Sequence, residues 1–338
     1  LKEMADQGKG FGRMTRILHS RGYPGKEILL PALRALKQVT ANEDPEIRPR
    51  GRNGKPGGLI LLRDLPVIIV PDLHARPHFL ETLASWIPPG FTEPALALME
   101  KDALQVLCVG DGFHSESPGY KRWLEAYQEY LKSYRTHKAM DGEMEDSLKL
   151  MLLVMDWKIH YPANFHFLKG NHENIANEHS KDNRSFRKFV FEGDMVTLWF
   201  KKFLGQEVFE WYYDFEKNLP IMAAGNGFCV SHGEPRRYYT REEVINCYSN
   251  REIIFDFTWT DNGESDEHVV EDYLRDYFPD MPDALYYGGH RPVSDLYQLR
   301  AGGRYVQIHN PLRYPVVYLR NPRDMKNNYG IVYIDGCG

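Results

Sequence analysis

Asp72 and His74 stand one residue apart at the end of an apolar run, in the string Val67-Ile-Ile-Val-Pro-Asp-Leu-His-Ala-Arg-Pro77. A carboxylate and an imidazole alternating off a strand end can face one atom between them, which is how a metal ion is held. An Asp-x-His is common by itself and reads equally as a solvated turn, so the weight falls on repetition. Four further apolar runs stop at comparable groups: "ALQVLCVGDG" at Asp111, "FHFLKGNHE" at Asn171 and His172, "FCVSHGEP" at His232, and "ALYYGGHRPV" at His290. Taken singly, each histidine reads as a hydrogen-bonded core residue. Together they are hard or borderline oxygen and nitrogen donors without a thiolate. Such a set suits Mn, Fe or Zn better than Ca or Mg, which prefer oxygen shells. Successive strand ends converge along one edge of an α/β fold, so five such ends point to one site.

The elements that must position these groups follow from periodicity. Residues 1–45 read as amphipathic helix, clearest in "ILLPALRALKQV", and 46–58 as a basic Pro/Gly loop. That loop reads as a solvated linker, with contact to a phosphate-rich partner as the other reading. Residues 59–70 hold one or two strands, and 103–112 and 165–173 one buried strand each. Between them Tyr120, Trp123, Leu124, Tyr127, Leu131 and Tyr134 recur at helical spacing. Their stripe reads as core or lid packing rather than a base-stacking platform. "SLKLMLLVMDWKI" (147–159) is apolar nearly all round, hence a buried helix, and 185–204 is an aromatic-rich helical region. Residues 222–235 read as a hairpin ending at His232, "FDFTWTDN" (255–262) as a short apolar stretch closing in an acid, and the tail as antiparallel strands.

Bulk properties narrow the class. The 338 residues, 42% hydrophobic and 26% charged, suit one large α/β domain or two small ones. A net charge of −5 provides no global basic field for nucleic acid, so an anionic substrate has to be captured locally. Cys108, Cys229, Cys247 and Cys337 form no CxxC pair, which points to a reduced, cytoplasmic setting. No apolar run is long enough for a membrane span, and the first residues are polar and Gly-rich, unlike a signal segment. Nothing in the sequence speaks to oligomeric state.

The order D-x-H, G-D, G-N-H-E, H-G, G-H resembles the signature of the calcineurin-like metallophosphoesterases, closest to the phosphoprotein phosphatase (PPP) branch of serine/threonine phosphatases and their bacterial relatives. "SLKLMLLVMDWKIHYPANFHFLKGNHE", "LPIMAAGNGFCVSHGEP", "FDFTWTDN" and "GGHRPVSDLYQL" are similar to that branch's segments around its GNHE, His-Gly, Trp-Ser-Asp and late-histidine motifs. The likeness covers roughly residues 66–335, with an insertion near 116–146. It suggests a catalytic domain over 61–338 preceded by an N-terminal helical extension and basic loop (1–60) without an identified counterpart. The resemblance implies a four-layer α/β/β/α sandwich of two mixed sheets, with the site at one strand-end edge. It implies two divalent metals, Mn first, Fe or Zn otherwise. Asp72, His74 and Asp111 would hold one; Asp111, Asn171, His232 and His290 the other. Two such cations, about 3.5–4 Å apart, share a water, lower its pKa and clamp phosphoryl oxygens for direct in-line attack. His172 would be the general acid. The implied activity is hydrolysis of a phosphomonoester, with phosphoserine or phosphothreonine in a protein as one substrate. A small phosphoanhydride or nucleotide is the alternative, and a catalytically dead, phosphatase-like binding protein a third.

The match departs at one motif. Where the PPP pattern reads Gly-Asp-x-x-Asp-Arg-Gly, this chain reads "GDGFHSE". His114 replaces the aspartate that orients the acid histidine, and His114 is expected to contact His172 or the phosphate. Ser115 replaces the arginine that clamps substrate phosphate, and a hydroxyl cannot supply that bidentate charged contact. Arg236 and Arg291 are the favoured replacements, with Arg76 as a third. Pro71 precedes Asp72 where the family has glycine, and Pro292 stands where the wider superfamily has a second histidine. The 116–146 insertion is expected beside the cleft, where a cover would favour a small substrate.

Overall fold

A computed structural model describes residues 8–320 and 330–336. Eleven short strands are assigned among them: β1 (Leu59–Leu61), β2 (Val67–Val70), β3 (Gln105–Cys108), β4 (Phe165–Phe167), β5 (Met222–Gly225), β6 (Phe228–Ser231), β7 (Leu285–Gly288), β8 (Gln298–Arg300), β9 (Tyr305–Gln307), β10 (Pro315–Leu319) and β11 (Ile331–Tyr333). They form two mixed sheets, ordered β1-β5-β6-β7-β9-β8 and β11-β10-β2-β3-β4. In β2 the alternation of a strand explains the layering. Val67 and Ile69 join the cluster that also holds Leu107, Ala223, Val230, Tyr287 and Val306, between the sheets. Ile68 and Val70 point the other way, into a core with Leu150, Leu153, Val154 and Trp157 of the long helix Lys138–His160. The outer face of the six-stranded sheet, through Met222, Cys229 and Tyr286, packs on the helices Arg251–Thr258 and Val269–Tyr277. Strands buried on both faces read as continuous apolar runs, as these do. The result is the four-layer α/β/β/α sandwich.

Several local expectations shift. The expected helix at 147–159 begins at Lys138, so the 116–146 segment is the helix Tyr120–Leu131 plus the first turns of that long helix. The stripe divides: Trp123 and Tyr134 are core, whereas Tyr127 stacks on Phe191 and Tyr120 meets Phe189 edge-on. The helix expected over 185–204 starts only at Glu192, whose carboxylate accepts the backbone N–H groups of Lys188 and Phe189 at 3.0 and 2.6 Å. The apolar stretch expected at 255–262 begins as the last turn of the helix Arg251–Thr258. In the tail, β10 and β11 are antiparallel, but β9 runs parallel to β7. Strand β1 straddles the boundary expected at 60/61 and pairs in parallel with β5. Cys108, Cys229 and Cys247 are buried free thiols, and Cys337 lies outside the described residues. Among the described residues no helix is long and apolar enough to cross a membrane.

The 46–58 loop is not a solvated linker throughout. Arg48 is buried and donates to the Glu43 carboxylate (2.8 Å), the Gly57 carbonyl (2.8 Å) and the Asn218 carbonyl (2.5 Å). Glu43 also meets Lys158 of the long helix at 2.5 Å. Burial alone would raise the Glu43 carboxyl, but Lys158 and Arg48 pull it down to about 2. Its folded pKa is therefore below its unfolded value, so the ion knot contributes its full stability above the ordinary glutamate range. That contribution is lost as pH falls toward 2. Glu43→Ala should lower unfolding free energy at neutral pH by about 3–5 kcal/mol in urea titrations, because two buried cations lose their partner. The difference between variant and wild type should shrink on acidification below about pH 4.

Candidate metal centre

Each chemical group sits just past a strand end. Asp72 and His74 follow β2, Asp111 follows β3, Asn171 and His172 follow β4, His232 follows β6 and His290 follows β7. The loops are tight. His74, Asp111, His114 and His290 all have positive φ (42°, 54°, 65° and 65°), a conformation that is costly for such residues and clusters at functional sites. Two glycines are required by close approach. A Cβ on Gly170 would lie 2.2 Å from Asp111 Oδ1, and one on Gly289 1.9 Å from Asp72 Oδ2. Glu173 ties the turns together by accepting the backbone N–H groups of Asp111, Gly112 and Gly170 at 2.9, 2.8 and 2.6 Å.

The six side chains read from strand ends as ligands lie together. Asp111 Oδ1 accepts the His172 N–H at 2.9 Å, which leaves Oδ2 facing inward. Oδ2 lies 3.6 Å from His74 Nε2 and 3.4 Å from His232 Nε2. Asn171 Oδ1, His232 Nε2 and His290 Nδ1 are mutually 2.9–3.2 Å apart. On the Asp72 side, His232 Nδ1 lies 3.6 Å from Asp72 Oδ1. Asp72, Asp111 and His232 are essentially fully buried, and His290 is partly exposed at the mouth.

The ring tautomers decide what this crowding means. His232 Nδ1 is 3.2 Å from the Val109 carbonyl, and His74 Nδ1 is 3.1 Å from the His114 carbonyl. Carbonyls only accept, so each Nδ1 bears the proton and each Nε2 offers a bare lone pair to the centre. Outer carbonyl contacts of this kind orient metal-binding imidazoles. Burial holds the histidines neutral, pushing His74 down to about 3 and His232 well below the usual range. Burial, then repulsion from Asp72, raises the Asp111 carboxyl well above the usual range. A buried carboxyl that faces the bare lone pairs of His74 and His232 is stabilised as a carboxylate when cations lie among them. The donor set thus fits two divalent metals sharing Asp111.

The remaining expected residues divide. His172 lies beside the centre, its Nε2 3.7 Å from Asp111 Oδ2. His114 Nδ1 is 3.0 Å from His172 Nδ1, and the Phe186 ring packs on both imidazoles. Burial lowers His114 to about 3, so this pair is neutral. Ser115 turns away and binds Glu143 through both N–H and Oγ, at 2.7 and 2.6 Å, with Arg122 clasping the same carboxylate. Arg76 does not face the cleft. Its guanidinium donates to the carbonyls of Asp72, Leu73, Asn310 and Arg313, so it is a loop staple. Arg291 is spent in a bidentate pair with Asp261 at 2.7 and 2.6 Å. Arg236, half-buried after the His232 turn, keeps its guanidinium free of hydrogen bonds among the described residues.

Three residues went unread. His309 follows β9 and is buried against Asp72, Glu116 is buried beside His74, and Lys188 pairs with Glu116. His309 carries the same signal as the others, a histidine ending an apolar strand ("YVQIH"). Glu116 and Lys188 carry none, being ordinary surface residue types in irregular segments. Beside His74, Glu116, Arg122, Leu312 and Tyr314 help line a cleft of about 450 Å³, so the 116–146 segment borders the centre.

A family model described as calcineurin-like phosphoesterase matches residues 65–307, more than half of the chain. Among solved structures, the chain is similar to a protein serine/threonine phosphatase from Saccharomyces cerevisiae with similarity to human phosphatase PP5. The TM-score is 0.60 at 13% identity, over 95% of this chain and 94% of that one. Weaker likenesses include the cold-active protein-tyrosine phosphatase of a psychrophilic Shewanella species, with a TM-score of 0.42 at 11% identity over 78% of each chain. A comparison with curated protein sequences finds no match.

Asp111→Ala should abolish tight binding of both metals, because its carboxylate faces both ligand groups, whereas His290→Ala should weaken one only. Elemental analysis after dialysis against trace metal distinguishes these outcomes.

Proposed function

Since the chain belongs to the calcineurin-like phosphoesterase family and is a metal-dependent phosphoric ester hydrolase, we propose that it cleaves phosphomonoesters at a dinuclear centre held by Asp72, His74, Asp111, Asn171, His232 and His290. Manganese is the first candidate, with iron or zinc next, because the donors mix imidazole nitrogen with hard oxygen. The observation that carries this reading is the convergence of Asn171 Oδ1, His232 Nε2 and His290 Nδ1, 2.9–3.2 Å apart, beside Asp111 Oδ2. When bound, the cations supply Lewis acidity toward phosphoryl oxygens and a nucleophile at neutral pH.

The chain's own residues supply the rest. In this reading His114 is the donor of the 3.0 Å contact between the two Nδ1 atoms, which leaves His172 its hydrogen on Nε2, facing the centre. His172 Nε2–H is therefore placed to give a proton to the departing alkoxide oxygen. Phe186 holds the two rings in place and keeps water off them. With Ser115 turned to Glu143, the phosphate clamp falls to Arg236.

For substrate, a phosphoserine or phosphothreonine side chain on a protein is the first reading. A small phosphoanhydride or nucleotide is the second, favoured by the walls that Arg122 and Leu312 raise beside His74. Protein loaded with manganese should hydrolyse p-nitrophenyl phosphate, and His172→Ala should lower kcat by about 10²–10⁴-fold with little change in metal content. Arg236→Ala should raise KM about tenfold through loss of a charged hydrogen bond, with kcat less affected. Rates on phosphopeptides compared with dinucleoside polyphosphates decide between the two substrate classes, and no turnover of either class contradicts the proposal.

A further inference from the structure

His309 is fully buried on the Asp72 side of the centre, at the end of β9. Its Nε2 lies 2.8 Å from Glu116 Oε2. Lys188 pairs with the same Glu116 carboxylate. A carboxylate only accepts, so Nε2 bears a hydrogen and Nδ1 is the ring atom left to face Asp72. Nδ1 has no hydrogen-bond partner although it is buried. Asp72 Oδ2, an acceptor, lies 3.4 Å away. Asp72, His74 and His309 offer ligand atoms that all lie within 4.8 Å of one another. An unsatisfied buried nitrogen aimed at a carboxylate oxygen is costly unless a cation lies between them.

Resting on the dinuclear reading above, we propose that His309 Nδ1 is a fourth protein ligand of the first metal, beside Asp72, His74 and Asp111. Glu116 fixes its tautomer and Lys188 fixes Glu116, which is the carboxylate–histidine–metal arrangement of a designed-in outer contact. Each metal then has four protein ligands, with Asp111 counted in both. The ligand comes from β9, a strand that contributes nothing else to the centre.

The competing geometry is an imidazolium bridging Asp72 and Glu116, with hydrogens on both nitrogens and no metal contact. Side-chain length separates the two. Asparagine places Oδ1 the same number of bonds from Cα as Nδ1, whereas glutamine reaches as far as Nε2. Metal-free full-length protein titrated with zinc by calorimetry should show two binding events in the wild type. His309→Ala should weaken one of them roughly tenfold or more and leave the other. His309→Asn should recover part of the loss and His309→Gln should not. In ¹⁵N-histidine spectra of the wild type, the His309 Nδ1 resonance, assigned by its absence in the Asn variant, should move on zinc addition while Nε2 keeps its hydrogen. An unmoved Nδ1, two unchanged affinities in His309→Ala, or rescue by Gln but not Asn overturns the assignment. The spectrum of the wild type decides the matter should His309→Ala fail to fold. Wild type that binds two zinc ions and moves Nδ1 yet hydrolyses no phosphomonoester would defeat the proposed function and leave this ligand standing.

Discussion

Everything in this molecule is arranged around the buried Asp111 carboxylate, which cannot be satisfied by protein alone. One oxygen accepts a backbone N–H from the β4 turn, and the other faces the lone pairs of His74 and His232. With the His74 and His232 nitrogens that face it bare, cations are the partners that relieve this crowding. The outer contacts enforce that choice. The Val109 and His114 carbonyls hold hydrogens on the far side of two rings, so neither can turn its N–H inward without losing a bond.

The sandwich explains how such a cluster is tolerated. Strands buried on both faces leave only their ends for polar chemistry, and two sheets facing each other bring two sets of ends to one edge. Asp72, Asp111 and Asn171 come from the five-stranded sheet, and His232, His290 and His309 from the six-stranded one. The turns between strand and ligand use positive-φ residues and side-chain-free glycines, and Glu173 accepts three of their N–H groups, from Asp111, Gly112 and Gly170.

The "GDGFHSE" stretch is anchored to the helices that follow it. Ser115 binds Glu143 at the start of the long helix, where Arg122 of the preceding helix also binds, so the segment is a brace between elements. His114 pairs with His172 under Phe186. A neutral ring in that place orients the partner imidazole without adding charge, whereas a carboxylate would raise its pKa. Glu116 and Arg122 thereby form part of the wall beside His74.

Sequence alone determined the layered α/β class, because continuous β-branched runs separated by amphipathic stretches have few other ways to bury themselves. It also determined which strand-end donors could be ligands, because donor type and a position after an apolar run are local properties. What it left open was nonlocal. Arg76, Arg236 and Arg291 are indistinguishable as three arginines next to motifs, and only packing assigned one to backbone carbonyls, one to Asp261 and left one free. Glu116 and Lys188 look like surface residues until the chain closes over them. His309 had the local signal, but its meaning depends on β9 lying parallel beside β7 and on Glu116, 193 positions away, reaching its Nε2. Side-chain partners are chosen by distance in the folded chain, and a linear polymer does not carry that distance.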